Sequence, residues 1–173
     1  MHQLILHPDC APGPVTSLRA TFEPTAGGGR AQFSAQGDIA RVRVPQHAIS
    51  DRTDFLWQTT CFEVFWQPLG GTFYREFNFA PSSRWASYDF DDVRQNGRNG
   101  PVDAIAIACS RSDHELVLEA AVTTPLLLPA RVALNAVIED IEGNIQYWAL
   151  AFPAGRPDFH AEICRAVTLE EKP

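Results

Sequence analysis

The sequence predicts an all-β fold, an antiparallel β-sandwich, on three observations. Hydrophobic and polar residues alternate with a period of two in many short runs, which is typical of strands with one buried face. Turns rich in glycine, proline and asparagine separate these runs at the intervals found in sandwiches. No convincing long helical pattern is present. The 173 residues, of which 45% are hydrophobic, are expected to form a single domain, 1–173, that buries a substantial core.

The alternating runs define the predicted strands. They begin after a short N-terminal segment, and glycine-rich breaks separate the first three of them. The predicted strands in chain order are 14–23, 29–35, 38–44, three strands within 57–90, 116–122, 132–138, 145–152 and about 163–169.

The segment 57–90 carries the strongest functional signal. It holds three of the four tryptophans and two of the three tyrosines. Turns at 68–71 and 80–83 divide it into three alternating runs, so it is predicted to be an antiparallel meander.

The register predicted from the two turns puts phenylalanines on one face, the core, and polar and aromatic side chains on the other. On this second face Glu63 lies opposite Glu76, and Asn78 lies opposite Trp85. Like charges in direct opposition destabilise a sheet. The two carboxylates therefore require an arginine, a cation, a shared proton or the hydroxyls of a ligand. The alternative is that both are simply solvated on an open surface.

Arginine is the first choice for this compensation, and Arg94 and Arg156 are the candidates because each lies in a loop that could reach over the sheet. Asp158 and His160, in the loop 155–162, alternate along the chain and could point to one place. A purely structural role is the alternative for these two. An indole beside carboxylate and amide groups offers the flat apolar surface and the hydrogen-bonding groups that a small polyhydroxylated ligand requires.

Composition excludes several classes of function. The net charge of −7 and the pI near 5.1 argue against nucleic-acid binding, because no Lys/Arg cluster offers a surface for phosphates. No stretch approaches the roughly 20 apolar residues of a membrane span, and the N-terminus lacks the pattern of a signal peptide. We therefore expect a cytoplasmic protein. Its four cysteines stand far apart without ligand spacing, so free thiols and no metal site are expected.

Common catalytic motifs are absent. The sequence contains no phosphate-binding Gly-rich loop followed by Lys-Ser/Thr, no Gly-x-Ser-x-Gly elbow and no His-Glu-x-x-His helix. Two facing carboxylates would suit a glycosidase. Such an enzyme also needs a deep cleft and one carboxyl in an apolar pocket, which a flat meander does not obviously supply. Binding is therefore favoured over catalysis.

Three stretches carry a resemblance to a known family. They are LWQTTCFEVF at 56–65, YREFNFAPSSRWASYDF at 74–90 and YWALAFPAGRPDFH at 147–160. Together they resemble the DOMON-like proteins of bacteria, whose fold is similar to that of family 9 carbohydrate-binding modules, and the similarity spans about 4–169. The resemblance implies a curled, jelly-roll-like β-sandwich that binds a sugar or another small ligand in a groove on one sheet face.

The resemblance also implies roles for individual residues. In the carbohydrate-binding modules a tryptophan and a glutamate stand at the spacing of Trp57 and Glu63, and polar side chains match Glu76 and Asn78. Those modules clamp a sugar ring between two tryptophans. The candidates for the second ring here are Trp85, Trp148 and Phe159. Haem-binding DOMON domains hold iron between a methionine and a histidine, and since this chain has no methionine after Met1, haem is not expected.

The sequence thus predicts a small-ligand-binding domain for a sugar or sugar-derived metabolite, without a cofactor. Trp57 and Trp85 would stack on the ligand, while Glu63, Glu76 and Asn78 would bind its hydroxyls. The alternatives are an enzyme that uses Glu63 or Glu76 as general acid or base, and a protein-interaction module. The oligomeric state is not predicted.

Overall fold

The computed structural model describes residues 1–171, which form twelve β-strands and three 3₁₀ helices. The strands are β1 (His2–Leu6), β2 (Val15–Thr25), β3 (Gly28–Gly37), β4 (Cys61–Pro68), β5 (Tyr74–Phe79), β6 (Trp85–Phe90), β7 (Arg98–Asn99), β8 (Ala104–Arg111), β9 (Glu115–Thr123), β10 (Ala130–Glu139), β11 (Ile145–Ala149) and β12 (Val167–Leu169). The helices are Ile39–Arg41, Leu56–Gln58 and Glu162–Cys164. Within this part of the chain, no helix has the length and apolarity needed to span a membrane.

The strands form a curled antiparallel β-sandwich, which confirms the predicted fold class. What we call the back sheet has the order β1-β2-β3-β9-β8, and the front sheet has the order β7-β6-β5-β4-β10-β11-β1. Strand β1 joins the two, because it pairs with β2 at one end and with β11 at the other. Strand β12 pairs with β10 beyond the end of β11.

The main hydrophobic core lies between the two sheets. The back sheet contributes Phe33 and Leu118, and the front sheet contributes Phe62, Val64 and Phe77, all of them buried. The Phe33 and Phe62 rings meet with their centroids 5.1 Å apart. Burial of such side chains supplies most of the driving force for folding. Because side chains alternate along each strand, this burial determines which face of each sheet points to the core.

The outer face of the front sheet is also covered. A second cluster packs there, with Phe65, Tyr74 and Val137 from the strands and Phe159 and Cys164 from the C-terminal segment. Strand β4 is consequently buried along nearly its whole length on both faces. This is why its sequence, CFEVFWQP, shows little contrast between hydrophobic and polar positions.

Several strand predictions were wrong. Strands β1, β7 and β8 were not predicted, and residues 38–44 contain the helix Ile39–Arg41 and an isolated bridge at Val42 instead of a strand. Strand β8 was missed because isoleucine alternates there with alanine, so the polar contrast that marks a half-buried strand is absent. Strand β11 ends at Ala149 and β12 begins only at Val167, both shorter than predicted.

The register between β4 and β5 differs from the prediction by two residues. Glu63 lies opposite Asn78, and Glu76 lies opposite Phe65. Because side chains alternate with a period of two, a shift of two residues changes the partners but retains the face. Glu63, Glu76 and Asn78 therefore share one face as predicted, and the two carboxylates are diagonal neighbours.

The register between β5 and β6 differs by one residue, and this shift changes the face. Trp85 pairs with Phe79 instead of Asn78, and its ring packs against the main core. The cause is a tight turn in which the Ala80 N–H donates to the Arg84 carbonyl and Ser83 takes a positive φ of 76°. The prediction of Trp85 as a site residue does not agree with this placement.

Candidate functional site

A cavity of about 800 Å³ opens on the outer face of the front sheet. Its floor is formed by side chains of the strands, and its walls come from two loops that contain residues 54–57 and 156–160. The aromatic lining residues are Phe55, Trp57, Tyr88, Phe90, Tyr147 and Phe159. The remaining lining residues are Asp54, Glu63, Glu76, Arg94, Val137, Arg156, Pro157 and His160.

The first wall is positioned by the backbone of Trp85. The Thr53 N–H donates to the Trp85 carbonyl at 2.8 Å, and the Trp85 N–H donates to the Asp51 carbonyl at 3.1 Å. Leu56 then inserts into a small buried cluster, so its neighbours Phe55 and Trp57 point away from that cluster. The two rings meet edge to face at the cavity rim, and Trp57 is 49% exposed.

The second wall is fixed by a buried arginine. The Arg165 Nε donates to Gln67 Oε1 at 2.8 Å, and its Nη1 donates to the His160 carbonyl at 3.2 Å. The guanidinium also lies 4.8 Å from the centroid of the Tyr74 ring, an arrangement with cation–π attraction. These contacts hold Phe159 and His160 against the front sheet.

Two buried carboxyl groups form the polar part of the floor. Glu63 is 3% exposed and Glu76 is 5% exposed. The Asn78 Nδ2 donates to Glu76 Oε1 at 2.6 Å. The carboxyl group of Glu63 makes no hydrogen bond or ion pair within residues 1–171, although the residue pairs with Asn78 and Asn135 on the neighbouring strands.

Burial dominates the protonation of this pair. Burial raises the pKa of Glu63 well above its usual value, repulsion from Glu76 raises it further, and Arg94 opposes both effects. Burial raises the pKa of Glu76 to about 7, against the hydrogen bond from Asn78 and the charge of Arg94. Desolvation disfavours the charged form of a carboxyl group, so the pair carries at least one proton near neutral pH.

The imidazole of His160 is hydrogen bonded to the Tyr74 hydroxyl. Its Nδ1 lies 2.6 Å from the Tyr74 hydroxyl, which accepts a hydrogen bond from the Arg94 N–H at 3.2 Å. Burial, followed by the charge of Arg94, lowers the pKa of His160 to about 4, so the ring is neutral near pH 7. We expect the hydroxyl to donate its hydrogen to Nδ1, which leaves the ring proton on Nε2. This N–H lies 3.7 Å from Glu76 Oε2.

The two predicted arginines line the cavity in different states. The Arg94 Nη2 forms an ion pair with Asp158 Oδ1 at 2.8 Å, and the same oxygen accepts a hydrogen bond from the His160 N–H. Arg94 therefore lowers the pKa of both glutamates through its field without a hydrogen bond to either. Arg156 lies exposed at the rim and forms no ion pair within the described residues.

The structure brings together most of the residues singled out from the sequence. The predicted residues that line the cavity are Trp57, Glu63, Glu76, Arg94, Arg156 and His160. Asn78 and Asp158 stand behind this lining and hydrogen bond to it. Trp85 and Trp148 lie toward the main core instead, so Phe159 is the one candidate for a second ring that lines the cavity.

Other lining residues were missed. Tyr88 and Phe90 would have followed from the correct register of β6, because the shift that moves Trp85 to the core turns these two rings to the site. Tyr88 donates from its hydroxyl to Asp54 at 2.6 Å, and Arg52 donates to the same oxygen at 2.9 Å. Tyr147 and Val137 lie on strands distant in sequence, and no local signal indicates that they reach this cavity.

The cavity offers few ligands for a metal ion. Among residues 1–171, His, Cys, Asp and Glu side chains form no group of three or more that could hold one. The four cysteines are free thiols. Carboxyl, imidazole and guanidinium groups facing aromatic rings can instead bind a small polar molecule or exchange protons with it.

Comparison with known proteins supports the fold. No protein-family model matches the chain, and no curated protein matches it. Among solved structures, the chain is similar to a "putative carbohydrate-binding protein" from Bacteroides uniformis ATCC 8492, with a TM-score of 0.66 and 14% identity. The match covers 94% of this chain and 82% of that chain. At this identity, the similarity shows a shared all-β architecture.

Proposed function

We propose that the chain is a ligand-binding domain of the DOMON-like type, extending over 1–173, that holds a sugar or sugar-derived metabolite of the cytoplasm. The observation that carries the proposal is Glu63, a buried carboxyl group without a protein partner in the described chain, at the floor of a cavity walled by aromatic rings. The carboxyl group of Glu63 lines the cavity, so a ligand there can hydrogen bond to it. Such a bond contributes about 0.5–1.5 kcal/mol, or about 1.5–3 kcal/mol when one of the groups is charged.

The size and chemistry of the cavity fit such a ligand. A volume of about 800 Å³ falls within the range of roughly 300–1,000 Å³ of small-molecule sites. Rings such as Trp57 and Phe159 offer apolar surface for the C–H faces of a sugar. Glu63, Glu76 and the Nε2–H of His160 offer acceptors and a donor for its hydroxyls.

The comparison supports the same class of ligand. The Bacteroides uniformis protein shares the architecture over most of both chains, and its description is that of a carbohydrate-binding protein. The resemblance of residues 56–65 and 74–90 to DOMON-like and family 9 proteins favours the same face of the sheet.

Isothermal titration with a panel of monosaccharides and sugar acids tests the proposal. We expect at least one compound to bind and Glu63→Gln to weaken that binding by tenfold or more, about 1.4 kcal/mol. Glu23→Gln is the matched control, because Glu23 is exposed on the back sheet. Absence of binding across the panel, or equal weakening by both variants, would contradict the proposal.

Acid–base catalysis on a sugar derivative is the second candidate. It is favoured by Glu76, whose pKa near 7 suits proton transfer at neutral pH, and by the neighbouring neutral His160. If the protein is an enzyme, mass spectrometry of a bound sugar derivative after incubation will detect a product. Glu76→Gln will then abolish turnover while binding persists. An unchanged ligand would leave binding as the function.

A further inference from the structure

Resting on the proposed function, we propose that the ligand is an amino sugar with a free amine, whose ammonium group sits between Glu63 and Glu76. The shape of the cavity alone does not define the charge of the ligand. An amine is favoured by the unused acceptors at the floor, by the absence of a matching cation among residues 1–171 and by the aromatic walls.

The floor presents three carboxyl oxygens without a hydrogen-bond donor from the described residues. Both oxygens of Glu63 lack one, whereas Oε1 of Glu76 accepts from Asn78. His160 Nε2 lies 3.7 Å from Glu76 Oε2, which is too long for a hydrogen bond. An ammonium group carries three donors and could satisfy all three oxygens, whereas a hydroxyl group donates a single hydrogen.

Charge leads to the same ligand. Arg94 is the cation that lowers the pKa of the pair. Its guanidinium is nevertheless 60% exposed and forms an ion pair with Asp158. Arg156 lies exposed at the rim. A neutral sugar would leave the two carboxyl groups to share a proton, because like charges at close range cannot both ionise without compensation. A cationic amine lets both become carboxylates.

The walls are also suited to a cation. Trp57, Phe55, Tyr88, Tyr147 and Phe159 line the cavity around the carboxyl groups. Aromatic faces attract ammonium groups by about 0.5–2 kcal/mol, more strongly when water is excluded. Both the rings and the carboxylates thus favour a positively charged group over a hydroxyl.

Binding must then release a proton. The ammonium enters already protonated, the carboxyl pair loses the proton that it shares, and that proton passes to the buffer. The other charged or titratable groups around the pair are Asp54, Cys61, Tyr74, Tyr88, Arg94, Tyr147, Arg156, Asp158 and His160. Burial raises the pKa of the thiol and of the three phenols and lowers that of His160, so none of these supplies a proton slightly below neutral pH.

The test compares sugars that differ in one group. Glucosamine, glucose and N-acetylglucosamine, with the corresponding galactose and mannose series, are titrated calorimetrically slightly below pH 7. Each titration is repeated in buffers of different ionisation enthalpy, which counts the protons released. We expect the amine of one series to bind at least about tenfold more tightly than its hydroxyl and acetamido counterparts, with net proton release.

Variants of Glu63 and Glu76 test whether these two carboxyl groups cause the preference for the amine. Glu63→Gln and Glu76→Gln should each remove the preference for the amine and most of the proton release, while Glu23→Gln should retain both. Thermal melts establish that each variant is folded. Binding of the neutral sugar as tightly as the amine, without proton release, would overturn the inference and leave the proposed function standing. Failure of every sugar in the panel to bind would overturn both.

Discussion

Glu63 and Asn135 are adjacent residues whose side chains the fold itself does not require. They lie opposite each other on β4 and β10. Asn135 is fully buried, and neither polar atom of its side chain has a hydrogen-bond partner among the described residues. Apolar residues at both positions would avoid the cost of burying unpaired polar groups. Their place beside the cavity supports the proposal that this part of the sheet binds a ligand.

The pH dependence of stability should reveal the buried carboxyl pair. The folded-state pKa of Glu76 is raised from 4.5 to about 7, so its contribution is fully present below 4.5 and is lost as the pH rises through about 7. Relative to Glu76→Gln, the wild-type protein should lose on the order of 3 kcal/mol of unfolding free energy across this window. Urea melts at a series of pH values measure it.

The comparison with Glu76→Gln cancels the contribution of His160, whose pKa is lowered, because His160 is present in both proteins. The difference between the two profiles therefore reports Glu76 together with its repulsion of Glu63. The contribution of His160 to stability has the opposite pH dependence, since it is present above pH 6.5 and is lost as the pH falls through about 4. Glu23→Gln should follow the wild-type profile. Parallel profiles for wild type and Glu76→Gln would show that Glu76 ionises as freely when folded as when unfolded.

Tyr74→Phe should allow His160 to populate both of its neutral tautomers. The variant removes the hydroxyl that donates to Nδ1 and leaves the ring buried, so the proton can occupy either nitrogen. Long-range ¹H–¹⁵N NMR at neutral pH should show a protonated Nε2 in the wild type and a mixture of tautomers in the variant. Phe90→Leu, which alters a ring beside His160 without touching its hydrogen bonds, should retain the Nε2–H form. A protonated Nδ1 in the wild type would refute the assignment.

At the scale of single residues, the sequence predicted the face better than the partners. Trp57, Glu63 and Glu76 were placed near one another, because alternation fixes the face of a strand and the turn between β4 and β5 is short. It could not predict that Asn78 rather than Glu76 lies opposite Glu63, since two-residue shifts leave the same alternation. The roles of Tyr74 and Arg165 depend on contacts between distant segments and have no local signal.

At the scale of elements, the turn between β5 and β6 decides which aromatic rings reach the cavity. Ser83 adopts a left-handed conformation, and the resulting turn is one residue longer than the sequence suggested. That single residue moves Trp85 to the core and turns Tyr88 and Phe90 to the site. Serine gives no strong signal for a positive φ, unlike glycine or asparagine, so the face of β6 could not be predicted from the sequence.

The backbone strain at Ser83 should be visible in the stability of a variant at this position. Ser83→Gly should be neutral or should stabilise the protein by up to about 1 kcal/mol, because glycine adopts a positive φ without steric cost. Ser110→Gly, at an exposed position in β8, should instead destabilise it by about 0.5–1 kcal/mol. Urea unfolding of both variants measures the contrast. A loss of stability in Ser83→Gly as large as in Ser110→Gly would mean that the turn carries no such strain.

At the scale of the whole molecule, the front sheet has two functions, because it is covered on both faces. One face closes the main core against the back sheet, and the other carries the cavity beneath the C-terminal segment. The sequence predicted the sandwich from its alternating runs. It could not predict the order in which the strands pair, since β4 lies beside β10 and β3 beside β9, pairings between segments far apart in the chain.

The same architecture separates the four indoles. Trp66, Trp85 and Trp148 belong to or pack against the main core, whereas Trp57 stands at the rim of the cavity. A ligand in the cavity should therefore affect the indole N–H of Trp57 and leave the other three nearly unchanged. The Trp57 signal is assigned as the one absent from Trp57→Phe.

Whether the cavity is the ligand-binding site can be measured by titration of ¹⁵N-labelled protein with the panel of sugars and amino sugars, followed through its indole N–H signals. We expect the Trp57 signal to shift in a saturable manner and Glu63→Gln to weaken this response by tenfold or more, whereas Glu23→Gln should leave it unchanged. A shift confined to another indole, or a Trp57 signal that no compound moves, would contradict the assignment of this cavity as the ligand-binding site.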